Sequence, residues 1–327
     1  MIASWSRRAA LALACASATL LAACGSSTIE SALTPSRFLA VGDGFSDLGQ
    51  TGTRYTVNDG SLSIWSEQLA SRYGLTLKTS ASGGLSYAQA HARVSQATDA
   101  VGGSAPSIQK QIDTLLAANT FGANDVVLVE GGISDVIAEV ASGAASATMT
   151  ANVKQAGREL GAQVRRLVTA GAKFVIVVGP YNLGQSRWAI ETGQRDLLRG
   201  LSTDFNTELK TVIADLGANV LYVDAALYFD LVTANPSFYG LTDVANLATT
   251  TPAITAAQAS PSACTSVDAG LGIGTGAGQV SSALCTTATI ASGVNYNTTL
   301  FADRVYPTPV GQRLFGNYAY DRLRLRW

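Results

Sequence analysis

Arg37-Phe38-Leu39-Ala40-Val41-Gly42-Asp43-Gly44-Phe45-Ser46-Asp47-Leu48-Gly49 opens with a short, nearly continuous apolar run and breaks at Gly42 into a turn carrying two aspartates. A run that stays apolar at alternating positions suits a strand buried on both faces, as in a parallel sheet covered by helices. Asp125-Val126-Val127-Leu128-Val129, Lys173 to Val178 and Asn219 to Val223 have the same character. Between them the apolar spacing is helical. Val153, Leu160, Val164 and Leu167 share one face, with Gly171 where a C′ glycine belongs. Leu197, Leu201, Phe205, Leu209, Val212 and Leu216 form a second stripe, ended by Gly217. A last helix is expected from about Pro309 to Leu323. Alternating strands and helices predict an α/β domain with a mostly parallel sheet in three layers.

The 327 residues are 47% hydrophobic and 14% charged, enough for a full core and too little charge for a disordered chain. With 22 basic and 23 acidic residues the net charge is −1, so no basic field points to nucleic acid. His91 is the only histidine, which excludes a multi-histidine metal centre, and the four cysteines (15, 24, 264 and 285) include no CxxC pair. Gly270-Leu271-Gly272-Ile273-Gly274-Thr275-Gly276 does not satisfy GxGxxG in any register and follows no strand; no GK[ST] occurs either. No cofactor is expected.

Arg7 and Arg8 precede an Ala/Leu run from Ala9 to Ala23, too short for a membrane span and suited to a signal-peptide core. It ends in Leu21-Ala22-Ala23-Cys24, which resembles the lipobox of bacterial lipoproteins. The resemblance implies a leader over residues 1–24, acylation of Cys24 (palmitate among the chains), and a polar tether over 25–35. With Gly25 next to the cysteine, it favours the outer membrane of the cell envelope, membrane contact being made by the lipid anchor. Cys15 then leaves with the leader, and Cys264 and Cys285 remain as a disulfide or as two separate buried thiols. A disulfide there closes a loop of about 20 residues, worth roughly 3 kcal/mol on a chain-entropy model. Both fall in a stretch from Leu227 to Leu300 where periodicity fades into Ala, Thr, Ser and Gly, which predicts an irregular insertion near the C-terminal edge of the sheet.

The Gly42 to Gly49 turn resembles the opening block of the SGNH/GDSL hydrolases, Gly-Asp-Ser-Leu-Ser-Asp. Three later stretches resemble their further blocks in order: Thr79-Ser80-Ala81-Ser82-Gly83-Gly84, Gly132-Ile133-Ser134-Asp135, and Asp303-Arg304-Val305-Tyr306-Pro307-Thr308. Gly122-Ala123-Asn124-Asp125 matches the third block more closely as a string but precedes its strand instead of leaving it. The resemblance spans roughly residues 36 to 327. It implies an α/β/α sandwich with a flavodoxin-like sheet and, as the family activity, ester hydrolysis.

It also implies where the chemistry fails. The nucleophilic serine falls on Gly44, the catalytic histidine on Tyr306 and the oxyanion-hole asparagine on Ser134, while Gly84 takes the place of the oxyanion-hole glycine. Gly42, Asp43, Asp47, Asp135, Asp303, Pro307 and Thr308 keep the family types. Glycine has no group to attack a carbonyl, and a tyrosine of ordinary pKa near 10 is no neutral-pH base. Losing one such residue costs about 10⁶ in turnover in a well-studied protease. The expectation is a pseudo-hydrolase keeping a cleft, lined by Gly44, Gly84, Ser134 and Tyr306, for acyl, lipid or glycan ligands. The alternative is a weak ester hydrolase using displaced residues such as Ser46, His91 and Asp303. Ser46 is expected to cap its turn, His91 to lie at the surface or rim, and Asp303 to accept a hydrogen bond from the Tyr306 hydroxyl.

Overall fold

The computed structural model describes residues 31–242 and 262–327. The leader, Cys24 and the tether up to residue 30 lie outside the described residues, as does the part of the expected insertion from 243 to 261.

Four parallel strands form the sheet in the order β1 (Arg37–Val41), β2 (Asp125–Glu130), β3 (Phe174–Val178) and β4 (Val220–Tyr222). Leu39 stands opposite Val127, Val127 opposite Val175, and Ile176 opposite Leu221. Every residue of β2 is buried, as its apolar run predicts for a strand covered on both faces. Its two acidic ends differ in purpose. Asp125 pairs with Arg37 at 2.8 Å at the start of β1, whereas Glu130 reaches into the functional centre. Leu85–Tyr87 lies along the free edge of β1, where Ala40 N donates to Leu85 O and Tyr87 N to Ala40 O.

The helices are α1 (Trp65–Arg72), α2 (Ile108–Ala118), α3 (Ile133–Ala141), α4 (Ser146–Thr169), α5 (Arg187–Glu191), α6 (Arg195–Ile213), α7 (Ala225–Ala234) and α8 (Pro309–Arg326). They pack as two groups: α2, α3, α4 and α6 on one another, and α8 against both α1 and α7. Val153, Leu160, Val164 and Leu167 are buried on α4, and Gly171 behind it takes the left-handed φ of +103°. On α6 the buried stripe holds Leu201, Phe205 and Leu209 as expected, but it runs from Leu198 to Ile213, while Leu197, Val212 and Leu216 are only partly buried. Gly217 is right-handed; the helix runs out through a 3₁₀ turn, Ala214–Leu216, not into a left-handed glycine. The last helix continues to Arg326, started by Pro309 and by the Thr308 hydroxyl accepting from Gly311 N.

The expected irregular stretch from Leu227 begins instead as helix. Asp224 Oδ1 caps α7 by accepting from Leu227 N at 2.9 Å. Apart from Asp230 and Thr233 the helix is apolar, burying Tyr228, Phe229 and Val232 while leaving Leu227 and Leu231 exposed, so no one-sided stripe marks it in the sequence. Between residue 262 and α8 the chain is irregular apart from a hairpin of β5 (Val267–Asp268) and β6 (Gln279–Val280) and short 3₁₀ turns at Ser282–Leu284 and Thr287–Thr289. Cys264 and Cys285 form a disulfide with a Cα–Cα distance of 5.7 Å. They sit in a small second core with Val57, Ala263 and Ala302. No helix among the described residues is long and apolar enough to cross a membrane.

The α4–α6 contact depends on a missing side chain. A Cβ on Gly157 would stand 2.4 Å from Phe205 O, whereas one on Gly200 would meet nothing within 4 Å. Alanine is a better helix former than glycine by about 1 kcal/mol, so sterics decide the sign at each site. Gly200→Ala is expected to raise unfolding stability by about 0.5–1 kcal/mol. Gly157→Ala is expected to lower it by about 1–3 kcal/mol through overpacking, and denaturant midpoints of the two variants check the contrast.

Candidate functional site

The C-terminal end of β1 is knitted to its neighbours by two buried carboxyls. Asp43 Oδ1 accepts from Phe45 N at 3.1 Å and Oδ2 from Ser134 N at 3.0 Å, so one side chain joins the first turn to the start of α3. The Ser134 hydroxyl lies against the same carboxylate. Asp43 N in turn donates to Glu130 Oε2 at 3.2 Å. Glu130 also dictates the residue above it, because a Cβ on Gly42 would come within 2.9 Å of Oε2. Burial pushes both carboxyls up. At Asp43 the Phe45 and Ser134 donors oppose it, while at Glu130 the Asp43 charge adds to it.

Two further aspartates fix the flanking segments. Asp47 Oδ1 accepts from Gly49 N and Gln50 N, and Oδ2 from Ala90 N at 2.9 Å; burial raises it to about 6 against those donors. Asp135 accepts from Val94 N and faces Arg93 at 3.6 Å; burial raises it to about 7 against the Arg93 charge. It borders a polar cavity of ≈ 330 Å³, with Arg93, Gln96, Glu139, Asn152 and Glu159 among the other walls.

Between Asp43 and Asp303 stands Tyr306. A Cβ placed on Gly44 would lie 2.7 Å from the Tyr306 hydroxyl and 2.9 Å from Cζ, so the ring occupies the space where a residue-44 side chain would project. Tyr306 is wholly buried, and burial followed by the Asp43 charge drives its phenol well above the ordinary tyrosine range, so it stays neutral. Its hydroxyl has no hydrogen-bond partner among the described residues. Tyr55 packs on it at 5.0 Å between ring centroids, and the Tyr55 hydroxyl meets His91 Nε2 at 2.7 Å. Tyr306, Tyr55 and His91 form a continuous plug over Gly44.

Several expectations are corrected here. The cleft expected along Gly44, Gly84, Ser134 and Tyr306 is closed: Gly44, Ser134 and Tyr306 are buried. Gly84 is elsewhere, at the start of the Leu85–Tyr87 segment, beside Arg37 and Phe38 at the opposite end of β1. Its N–H already bonds Thr79 O at 2.8 Å, and its Cβ would collide with Lys78 O, which explains the glycine. The turn that does leave this segment toward the centre carries Ala90 and His91. His91, with φ +65°, is the one non-glycine residue with positive φ among the described residues. Asp303 does not receive the Tyr306 hydroxyl; Oδ1 accepts from Val305 N and Tyr306 N, and Oδ2 from Ser282 N, because those amides converge on it. Ser46 does not cap its turn. Its hydroxyl accepts from Trp65 Nε1 at 3.0 Å and is buried beside Glu130. His91 is partly buried, as a rim position allows, and burial lowers its pKa. Ser46, His91 and Asp303 are thus each engaged with separate partners and do not assemble into a triad.

Glu130 and Tyr55 were invisible as site residues in the sequence. Glu130 is the single acid closing an apolar run, a signal that a buried carboxyl ends the strand. Tyr55 sits in a loop with no distinguishing pattern. Among the described residues no group of three or more His, Cys, Asp or Glu side chains is placed to hold a metal ion.

No family model matches the chain. It is 28% identical over 182 residues to a Pseudomonas putida protein described as an uncharacterized protein in the trpE-trpG intergenic region. That match covers 54% of this chain and 26% of the relative, so it spans about a quarter of that protein's length.

Removing the unpartnered Tyr306 hydroxyl should not harm the protein. Tyr306→Phe is expected to leave thermal stability unchanged or to raise it by up to about 1 kcal/mol, whereas a hidden hydrogen bond would appear as a loss. The buried aspartates set a pH dependence of definite sign. Asp135 and Asp47 hold protons up to about 7 and about 6 when folded, but only to about 3.9 when unfolded. The native state binds the extra protons between these limits, so their contribution is full below the unfolded pKa and is lost as pH rises through the folded one. Unfolding free energy should therefore fall from pH 4 toward pH 7, and Asp135→Asn should flatten the slope, as denaturant titrations at each pH would show.

Proposed function

We propose that this chain is an exported lipoprotein of SGNH/GDSL type in which the ester-hydrolase centre has been converted into packed core. The observation that carries this is the Tyr306 ring seated over Gly44, which removes nucleophile, base and substrate space in one contact. The fold is consistent with it. With Leu85–Tyr87 counted as the second strand, the sheet order becomes 2-1-3-4-5, that of flavodoxin-like sheets, and the two helix groups supply the two outer layers. Acyl, lipid or glycan ligands of the envelope would be held without turnover, on the outside of the plug rather than at Gly44. The neutral, sequestered phenol of Tyr306 can neither accept a proton at neutral pH nor let water reach a bound ester.

Two experiments test the parts separately. Hydrolysis of short and medium acyl esters is measured for the chain from Ser26 onward beside a Gly44→Ser/Tyr306→His/Ser134→Asn variant purified identically. The parent is expected to be silent and unlabelled by a serine-reactive fluorophosphonate, and the variant to turn over. Turnover and labelling of the parent would contradict the proposal. For the anchor, palmitate labelling of the full chain in a bacterial host is expected and should vanish with Cys24→Ser; labelling that persists would place the acyl chain elsewhere.

A further inference from the structure

The glycine-rich stretch that fits no nucleotide motif has a definite place in the structure. It forms the loop of the β5–β6 hairpin, and Gly272, Gly274, Gly276 and Gly278 all take positive φ there. The loop crosses between two walls of the plugged centre. On one side Ile273 is buried in the main core, and Gly274 lies so close to α3 that a Cβ would stand 2.6 Å from Ile137 and 3.3 Å from Ala100 O. On the other side Thr275 O accepts from Arg304 Nη1 at 3.3 Å, two residues before Tyr306. His91 lies beneath this crossing: its carbonyl accepts from Ala100 N, and the Asp99 and Asp268 charges act on both His91 and Tyr55.

The base of the hairpin holds the plug from behind. Ser282 N donates to Asp303 Oδ2, fixing the turn that carries Tyr306. Asn58 N donates to Cys285 O at 2.9 Å, and Val57 packs with both cysteines, fixing the loop that carries Tyr55. The Cys264–Cys285 disulfide closes this unit around its own small core, and Ile273 in its loop is its contact with the main core.

Resting on the plugged-centre proposal, we infer that the strap from 264 to 285 is a thiol-dependent gate over the Tyr306–Tyr55–His91 plug. With the disulfide intact the strap holds all three side chains closed. A dithiol reductant donates two electrons and two protons to the Cys264–Cys285 bond, leaves as its own disulfide, and yields two free thiols. The strap and the Tyr55 loop then open as one local unit while the four-stranded sheet stays folded.

Because His91 is the sole histidine, its reactivity reports the gate directly. The rate of His91 carbethoxylation by diethyl pyrocarbonate is followed by mass spectrometry in four forms of the protein. These are the oxidised parent, the parent reduced under native conditions, Cys264→Ala/Cys285→Ala, and Gly274→Val with the disulfide intact. Circular dichroism measures the folded fraction of each. The three released forms are expected to react at least about tenfold faster than the oxidised parent while remaining folded. An unchanged rate in folded released forms overturns the gate, as does a rise that merely tracks the globally unfolded fraction. If the cysteine variant does not fold, Gly274→Val decides, since it pushes the strap off α3 without touching the disulfide. A plug that fails instead shows as ester turnover by the closed, oxidised parent, an outcome independent of the His91 rate.

Discussion

The Tyr306 ring rests on the backbone of Gly44, and the chemistry of the centre follows from that contact. A side chain of any size at position 44 would have to share space with a phenol at 2.7 Å. A side chain as large as tyrosine at 306 is in turn accommodated only because position 44 has none. The glycine at 44 and the tyrosine at 306 are therefore two sides of one steric fit. Asp303, Pro307 and Thr308 hold the ring there by fixing its turn and starting α8 immediately behind it.

The acidic residues that make the sequence look catalytic have structural work. Asp43, Asp47, Asp135 and Asp303 each accept backbone N–H groups from segments distant in sequence. Burying a carboxyl costs several kcal/mol unless donors converge on it, and here the donors are the amides of the turns that must be held together. Replacing any of them by a residue without an acceptor would leave those amides unsatisfied. Glu130 completes this frame from beneath, its carboxyl pushed up by burial and by the Asp43 charge, and shapes the glycine at 42.

The sheet was legible because strands buried on both faces write themselves as short apolar runs, and α4 and α6 because each buries one stripe. The helix α7 was not, since Tyr228 and Phe229 pack inward while Leu227 and Leu231 remain apolar outside. Gly44 and Tyr306 meet, Asp43 joins their turn to Ser134, and Asp303 fixes the turn of Tyr306, contacts between segments far apart in sequence. Gly84 was misplaced because glycine spacing alone cannot tell a collision with Lys78 O from a donor to a substrate. The turn that faces the centre is built by His91 in a left-handed conformation, which no composition reveals. The plug itself could not be read, because Tyr55 and Tyr306 meet only through the fold, and the disulfide that organises both loops was open to two readings.

A double-mutant cycle on unfolding free energy, with Gly44→Ala and Tyr306→Ala alone and together, tests the central contact most directly. If the ring occupies the space above Gly44, the added methyl is costly only while the ring is present. The two changes should then couple by about 1–3 kcal/mol, with Gly44→Ala nearly neutral in the Tyr306→Ala background. Additive effects within about 0.5 kcal/mol would mean that the two residues do not touch, and would contradict the account.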